Sequence, residues 1–85
     1  MAQRNRTSTD ILAQILNAAN YSGSINKSKI MYKANISYTQ LKEYTSIMVE
    51  SDLLKYDENK QTYRVTDRGL RFLKVYEHIN ELIHC

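Results

Sequence analysis

Apolar residues in the first half of the chain recur at helical spacing and predict three helices. The first, over about 8–20, has an apolar face formed by Ile11, Leu12, Ile15, Leu16 and Ala19. The second, over about 27–34, carries its apolar residues at Ile30, Met31 and Ala34. The third covers about 38–51, and we expect its inner face to carry Leu41, Tyr44, Thr45, Met48 and Asp52.

Beyond residue 53 the period of the pattern changes to two. Leu54 and Tyr56 alternate with polar neighbours, and so do Tyr63 and Val65, which predicts a β-hairpin. Its loop lacks the Asn-Gly or Asp-Gly pair of a two-residue turn and is therefore expected to be longer. Helical spacing then returns and predicts a fourth, long helix that runs to about residue 83.

Each predicted helix is preceded by a residue that can cap it. Thr7, Asn26, Ser37 and Thr66 have side-chain oxygens that can accept a hydrogen bond from a free amide of the first turn. Asp10 and Gln40 stand three residues after two of these caps and complete the pattern of a capping box. Apolar residues flank three of the starts at staple spacing: Ile25 with Ile30, Ile36 with Leu41, and Val65 with Leu70.

The order of elements defines a fold class. A strand of one or two residues at Ser24 and Ile25 fits between the first two helices, and a short connection joins the second helix to the third. A hairpin follows the third helix directly. This order predicts a mainly α protein with a small β-hairpin (α+β), a winged helix-turn-helix with a long C-terminal helix. We expect a basic arm over 1–7, the winged domain over 8–66 and a dimerisation helix over 67–85.

Several short motifs resemble one known family. The stretch Lys27-x-Lys29-Ile30-Met31-Tyr32-x-Ala34, followed by Ser37-Tyr38-x-Gln40-Leu41-x-x-Tyr44, is similar to the archaeal winged helix-turn-helix transcription-regulator family. The pieces Leu53-Leu54-x-Tyr56 and Tyr63-x-x-Thr66-x-x-Gly69-x-x-Phe72-Leu73 match it in the same order, so the resemblance covers roughly 8–80. It implies DNA binding without a particular operator. Some members of the family, which includes small chromatin-associated proteins, dimerise through a C-terminal helix.

The chain departs from the family pattern in three places. Asp52 stands where the turn after the third helix usually has glycine, and Thr45 replaces a larger apolar residue. Asp57 and Glu58 lie in the wing, where their charge weakens the expected contact with phosphate.

Charge is unevenly distributed along the 85 residues, whose net charge is +3. Residues 1–42 hold six basic side chains and one acidic side chain, whereas residues 43–85 hold six basic and eight acidic ones. A basic N-terminal half can attract a polyanion.

The N-terminus has no apolar stretch of a signal peptide, and the single cysteine, Cys85, fits a reducing compartment. We therefore expect a cytoplasmic, nucleoid-associated protein. Cys85 either remains a free thiol or forms an intermolecular disulfide.

The third helix is the candidate for reading DNA in the major groove. Its outward face is expected to carry Thr39, Lys42, Glu43 and Ser46, with Ser37, Tyr38 and Gln40 at its leading end. Gln40 is suited to adenine, Lys42 to guanine or phosphate, and Glu43 to the cytosine amine. The alternative is that these residues form only the solvated face of an amphipathic helix, with Gln40 serving the capping box.

Other basic residues are candidates for contacts with the DNA backbone. Lys27 and Lys29 open the second helix, where free amides also favour phosphate. Arg4 and Arg6 precede the first cap and either enter a minor groove or belong to a disordered arm. In the wing, the candidates are Lys60 and Arg64.

The fourth helix has an apolar stripe that indicates a second interface. Its residues are Phe72, Val75, Tyr76, Ile79, Leu82 and Ile83. A helix of about 17 residues extends roughly 25 Å, which is more than so small a domain needs to cover itself. We expect the stripe to pair with its copy in an antiparallel homodimer. Alternatively, it packs on the first helix of the same chain.

The sequence contains no constellation typical of an enzyme. His78 and His84 are six residues apart on one helix, and the chain has no Gly-rich phosphate loop or nucleophile elbow. The expected partners are double-stranded DNA and a second copy of the chain. We expect no cofactor, metal, small-molecule ligand or membrane.

Two other functions compete with sequence-specific binding: a protein–protein adaptor and a non-specific chromatin protein. Charge and the polar third helix favour DNA.

Overall fold

The helices and strands follow one another in the order that the sequence predicts. The computed structural model describes residues 7–84. The helices are α1 (Ser8–Ser22), α2 (Lys27–Ala34), α3 (Tyr38–Glu50) and α4 (Asp67–His84), and the strands are β1 (Ile25–Asn26), β2 (Leu54–Asp57) and β3 (Thr62–Val65). The architecture is therefore mainly α with a small sheet, as expected.

The three strands form one antiparallel sheet in the order β1-β3-β2. Tyr63 of β3 lies at its centre, paired with Ile25 on one side and Tyr56 on the other. The short strand was expected at Ser24 and Ile25 but lies one residue later, because Asn26 is extended, pairs with β3 and also caps α2. The hairpin loop has four residues between its strands, which confirms that it is longer than a two-residue turn.

All four predicted caps are present. The hydroxyl of Thr7 accepts from the backbone N–H of Asp10 at 3.0 Å, and the Asp10 carboxylate accepts from the N–H of Thr7 at 3.1 Å. Ser37 forms the corresponding box at the start of α3. Asn26 accepts from the N–H of the third residue of α2, and Thr66 caps α4 by accepting from Gly69 at 3.0 Å. The helix starts are therefore determined locally by the sequence.

The core lies where the helices meet the sheet. Its fully buried large side chains are Ile15, Leu16, Ile30, Leu41, Met48 and Leu54. Thr45 is also buried, and its hydroxyl donates to the carbonyl oxygen of Leu41 at 2.7 Å, so the polar group is satisfied within α3.

The end of α3 corrects one expectation. Asp52 does not lie on the inner face of α3 but is exposed, because the helix ends at Glu50. The N–H of Leu53 donates to the Met48 carbonyl at 2.8 Å, that of Asp52 donates to Val49 at 3.1 Å, and Asp52 has a φ of 63°. This is a Schellman turn, whose left-handed residue is usually glycine.

Candidate nucleic-acid interface

A tight turn between α2 and α3 sets the position of α3. Asn35 adopts a left-handed conformation with a φ of 55°, and the N–H of Ile36 donates to the carbonyl of Met31 at 3.2 Å. The side chain of Ile36 is buried, as are those of Ile30 and Leu41. These apolar contacts fix α2 and α3 to each other. Ser37, where α3 starts, is exposed at the surface.

The orientation of α3 about its own axis follows from its inner face. Leu41, Thr45 and Met48 are buried, and the half-buried Tyr44 donates its hydroxyl to Ser8 of α1 at 3.3 Å. The outward side chains are those that the sequence places there, and all are exposed: Thr39, Lys42, Glu43 and Ser46. Polar groups of both charges therefore form a continuous face on the first three turns of α3.

Lys42 is held in place at this face by an aromatic ring. Its Nζ lies 5.6 Å from the ring centroid of Tyr38, one helical turn earlier, and both side chains are exposed. A cation–π contact of this kind contributes about 0.5–1 kcal/mol at an exposed site. The ammonium group is therefore partly preorganised near the start of α3. The spacing of an aromatic residue four positions before a lysine is a sequence signal that could have predicted this contact.

Gln40 is partly committed to the helix start. Its side-chain Oε1 accepts from the backbone N–H of Ser37 at 3.1 Å, and its backbone N–H donates to the Ser37 hydroxyl at 3.2 Å. A bidentate contact with adenine needs both ends of the amide. With the cap intact, Gln40 has only its amide N–H₂ group to offer to a base.

The remaining basic candidates lie on separate elements around α3. Lys27 and Lys29 are exposed in the first turn of α2, where Asn26 already satisfies the backbone N–H of Lys29 at 2.9 Å. Lys60 is exposed in the hairpin loop and Arg64 on β3. The N-terminal arm, with Arg4 and Arg6, lies outside the described residues, as does Cys85.

The apolar stripe of α4 is divided between the domain and the surface. Phe72 and Tyr76 are half-buried against the core, whereas Val75 is 58% exposed and Ile79 is 48% exposed. Nearer the end of the helix, Leu82 and Ile83 are 66% and 69% exposed. A groove of about 330 Å³ runs beside the stripe, between α4 and the first turn of α1.

A hydrogen bond joins α4 to the capping box of α1. The hydroxyl of Tyr76 donates to Oδ1 of Asp10, whose Oδ2 accepts from Thr7. This hydrogen bond raises the pKa of Tyr76, and burial and the negative charge of Asp10 act in the same direction. Sequence reasoning missed the contact, since no local pattern relates residues 66 positions apart.

Residues 7–84 contain neither a membrane-spanning helix nor a cluster of metal-ligating side chains. No helix within residues 7–84 is long and apolar enough to cross a membrane. No group of three or more His, Cys, Asp or Glu side chains within that range could hold a metal ion.

Comparison with known proteins gives the class of the molecule. The family model described as winged helix-turn-helix matches residues 5–84, so the chain belongs to the winged helix-turn-helix family. Among solved structures, it is similar to Sso10a-2, a DNA-binding protein from Sulfolobus solfataricus, with a TM-score of 0.79 and 20% sequence identity. That match covers 91% of this chain and 81% of the other. No curated protein matches the chain. The expected fold and the family resemblance are confirmed.

Proposed function

We propose that this protein is a sequence-specific double-stranded DNA-binding protein, a transcriptional regulator of the archaeal type, that acts as a homodimer without catalytic activity. The observation that carries the proposal is the exposed polar face of α3, presented after a tight turn with Lys42 held over Tyr38. In helix-turn-helix proteins, the second helix of the motif enters the major groove. The family and the similar fold of a DNA-binding protein support this reading.

In this proposal each group of residues has a distinct role. Base edges are read from α3 by Thr39, Gln40, Lys42, Glu43 and Ser46, with Ser37 and Tyr38 at the entry to the groove. The phosphate backbone is contacted by Lys27 and Lys29 of α2, by Arg4 and Arg6 of the arm, and by Lys60 and Arg64 of the hairpin. Such a protein would be located on the nucleoid in the cytoplasm, and it needs no cofactor.

Selection from random DNA combined with a salt series tests the DNA proposal. We expect enrichment of one motif and an affinity that falls steeply with salt, since bound phosphates release counterions. Lys42→Gln should weaken binding about tenfold or more, and Glu43→Gln should relax the preference at one base pair. Lys74→Gln on α4 removes the same charge away from α3 and is the control. Equal weakening by both lysine variants would contradict a specific role for Lys42.

The outcomes also separate the two competing functions. Ile47 and Val49 are 51% and 40% exposed on the later turns of α3, which is the observation that favours a protein–protein adaptor. An adaptor would show no DNA binding at low salt. A non-specific chromatin protein would bind with a steep salt dependence but would enrich no motif.

The dimer proposal rests on the exposed end of α4. Val75, Ile79, Leu82 and Ile83 present apolar surface beside a groove, and the molecule extends 42 Å along its long axis but only 27 and 21 Å along the others. A second copy related by a two-fold axis would cover this surface with an identical one. We propose that residues 67–85 pair in this way, while residues 8–66 bind DNA and residues 1–7 form the arm.

Light scattering at high micromolar concentration tests the dimer. The wild-type mass should be that of two chains, and Ile79→Glu should give a monomer because it introduces a charge into the apolar interface. Lys74→Glu places a negative charge on the polar side of α4, away from the apolar stripe, and should leave the dimer intact. A wild-type monomer at this concentration would overturn the proposal.

A further inference from the structure

The first turn of α3 carries the ammonium group of Lys42. Its Nζ lies 5.6 Å from the ring centroid of Tyr38, which is the first residue of α3. Among the described residues, no acidic side chain forms a salt bridge with Lys42. In a helix-turn-helix protein, the residues that contact base edges lie near the N-terminal end of the second helix. The ring therefore holds the ammonium group at the end of α3 that meets base edges, where its N–H groups can donate to a base.

Gln40, in the same turn, is also left with hydrogen-bond donors. Its Oε1 accepts from the backbone N–H of Ser37 at 3.1 Å, so that reading adenine with both ends of the amide would break this half of the capping box. Guanine presents two acceptors in the major groove, O6 and N7, whereas adenine presents one acceptor, N7, beside an N–H₂ donor. The donors of Lys42 and Gln40 therefore match guanine better than adenine.

The aromatic ring decides between two uses of the lysine. A lysine on a flexible stem can bind a phosphate, which carries no sequence information, or a guanine, which does. We propose that Tyr38 positions Lys42 to donate to O6 and N7 of one guanine in the major groove, so that the bound motif requires a G·C pair at that position. Lys42 is then the residue that determines specificity, and Tyr38 is its positioning residue. This inference rests on the proposed DNA-binding function and names the base that α3 reads.

Base analogues test the contact from the side of the DNA. Once selection from random DNA has given the motif, fluorescence anisotropy compares duplexes altered at each guanine in turn. Adenine replaces O6 with an amino group and should weaken binding about tenfold or more at one position. At the same position, 7-deazaguanine should also weaken binding, because it has a C–H group in place of the N7 acceptor. Inosine retains O6 and N7 and is the control that should bind like guanine.

Variants of Tyr38 test its positioning role. The readout is the ratio of the affinities for the guanine and adenine duplexes, because a lost phosphate contact weakens both equally. Tyr38→Phe keeps the ring and should keep the ratio, whereas Tyr38→Leu should lower it about twofold to fivefold. Lys42→Gln should reduce the ratio to about one or below, since glutamine suits adenine. Lys74→Gln should leave it unchanged. Tyr38 is 52% exposed, so neither Tyr38 variant should shift the thermal midpoint of unfolding.

The outcomes distinguish this inference from the proposed function. If Tyr38→Leu keeps the wild-type ratio, Tyr38 does not position Lys42 and the inference is wrong, while sequence-specific binding stands. The same holds if the motif tolerates 7-deazaguanine at every guanine. If selection enriches no motif, the inference and sequence-specific binding are both overturned.

Discussion

At the scale of single residues, Gly69 is the glycine whose surroundings leave no room for a side chain. A Cβ atom at this position would clash with the carbonyl oxygen of Leu53 and lie 2.8 Å from Cγ1 of Val65. The same carbonyl accepts from the N–H of Thr66 at 3.2 Å, and the Thr66 hydroxyl donates to Asp52 at 2.6 Å. The first turn of α4 is thus pressed against the chain between α3 and β2, and only glycine allows this approach.

Gly69→Ala should therefore destabilise the fold although alanine favours helices. Alanine gains about 1 kcal/mol of helix propensity, but forcing a methyl group against backbone costs typically 1–3 kcal/mol and occasionally more. We expect the free energy of unfolding to fall by about 2 kcal/mol in urea titrations. At Gly23 no atom lies within 4 Å, but its φ of 83° and ψ of −47° lie outside the left-handed helical region, so Gly23→Ala should cost backbone strain of about 1–3 kcal/mol without any steric clash. A neutral Gly69→Ala would show that the contact relaxes easily.

Asp52 is the residue whose replacement should stabilise the protein. It occupies the left-handed position of the Schellman turn with a φ of 63°, where a side chain other than that of glycine costs about 1 kcal/mol. Asp52→Gly removes this strain, but glycine loses more conformational freedom on folding, which offsets part of the gain. We therefore expect the free energy of unfolding to rise by about 0.5 kcal/mol. Ser51→Gly is the matched comparison. It should lower the free energy of unfolding, because Ser51 has an ordinary φ of −86° and glycine there adds only flexibility.

At the scale of elements, α1 and α4 are joined by the bond from Tyr76 to Asp10. Because this bond raises the pKa of Tyr76, the folded state favours the neutral phenol. Its stabilisation is complete below the ordinary tyrosine pKa of about 10 and is lost as pH rises through the raised folded-state pKa. Tyr76→Phe should cost about 1 kcal/mol at pH 7, and the difference from the wild type should shrink above about pH 10. Denaturant midpoints of both proteins over pH 7–11 measure this; a constant difference would contradict it.

The elements also show which structural features could be predicted from the sequence. Helix starts were predictable because a cap such as Ser37 and its partner Gln40 are three residues apart, so their geometry is local. The pairing of Asp10 with Tyr76 was not predictable, since it depends on how two helices cross. The hairpin is an intermediate case. Its strands follow from period two, but the pairing of Lys55 with Arg64 requires the register and the loop length.

The candidate site also combines features that the sequence predicts with contacts that it does not. The outward residues of α3 could be assigned from helical periodicity once Leu41 and Met48 were placed inside. In the wing, the sequence shows the charge of Asp57 but not that its carboxylate accepts hydrogen bonds from the backbone N–H groups of Asn59 and Lys60.

At the scale of the whole molecule, an 85-residue chain that leaves much of α4 exposed should be more stable as a pair. If two chains fold and associate in one step, the unfolding midpoint depends on concentration by mass action. With an unfolding entropy of about 2.1 cal/mol/K per residue, each tenfold rise in concentration should raise the midpoint by about 4 °C. Scanning calorimetry from 10 to 1,000 μM, roughly two decades, measures this slope. Ile79→Glu should lower the midpoint and abolish the slope, whereas Lys74→Glu, on the polar side of α4, should retain the slope. A wild-type midpoint that does not change with concentration would mean that α4 contributes nothing to stability by pairing.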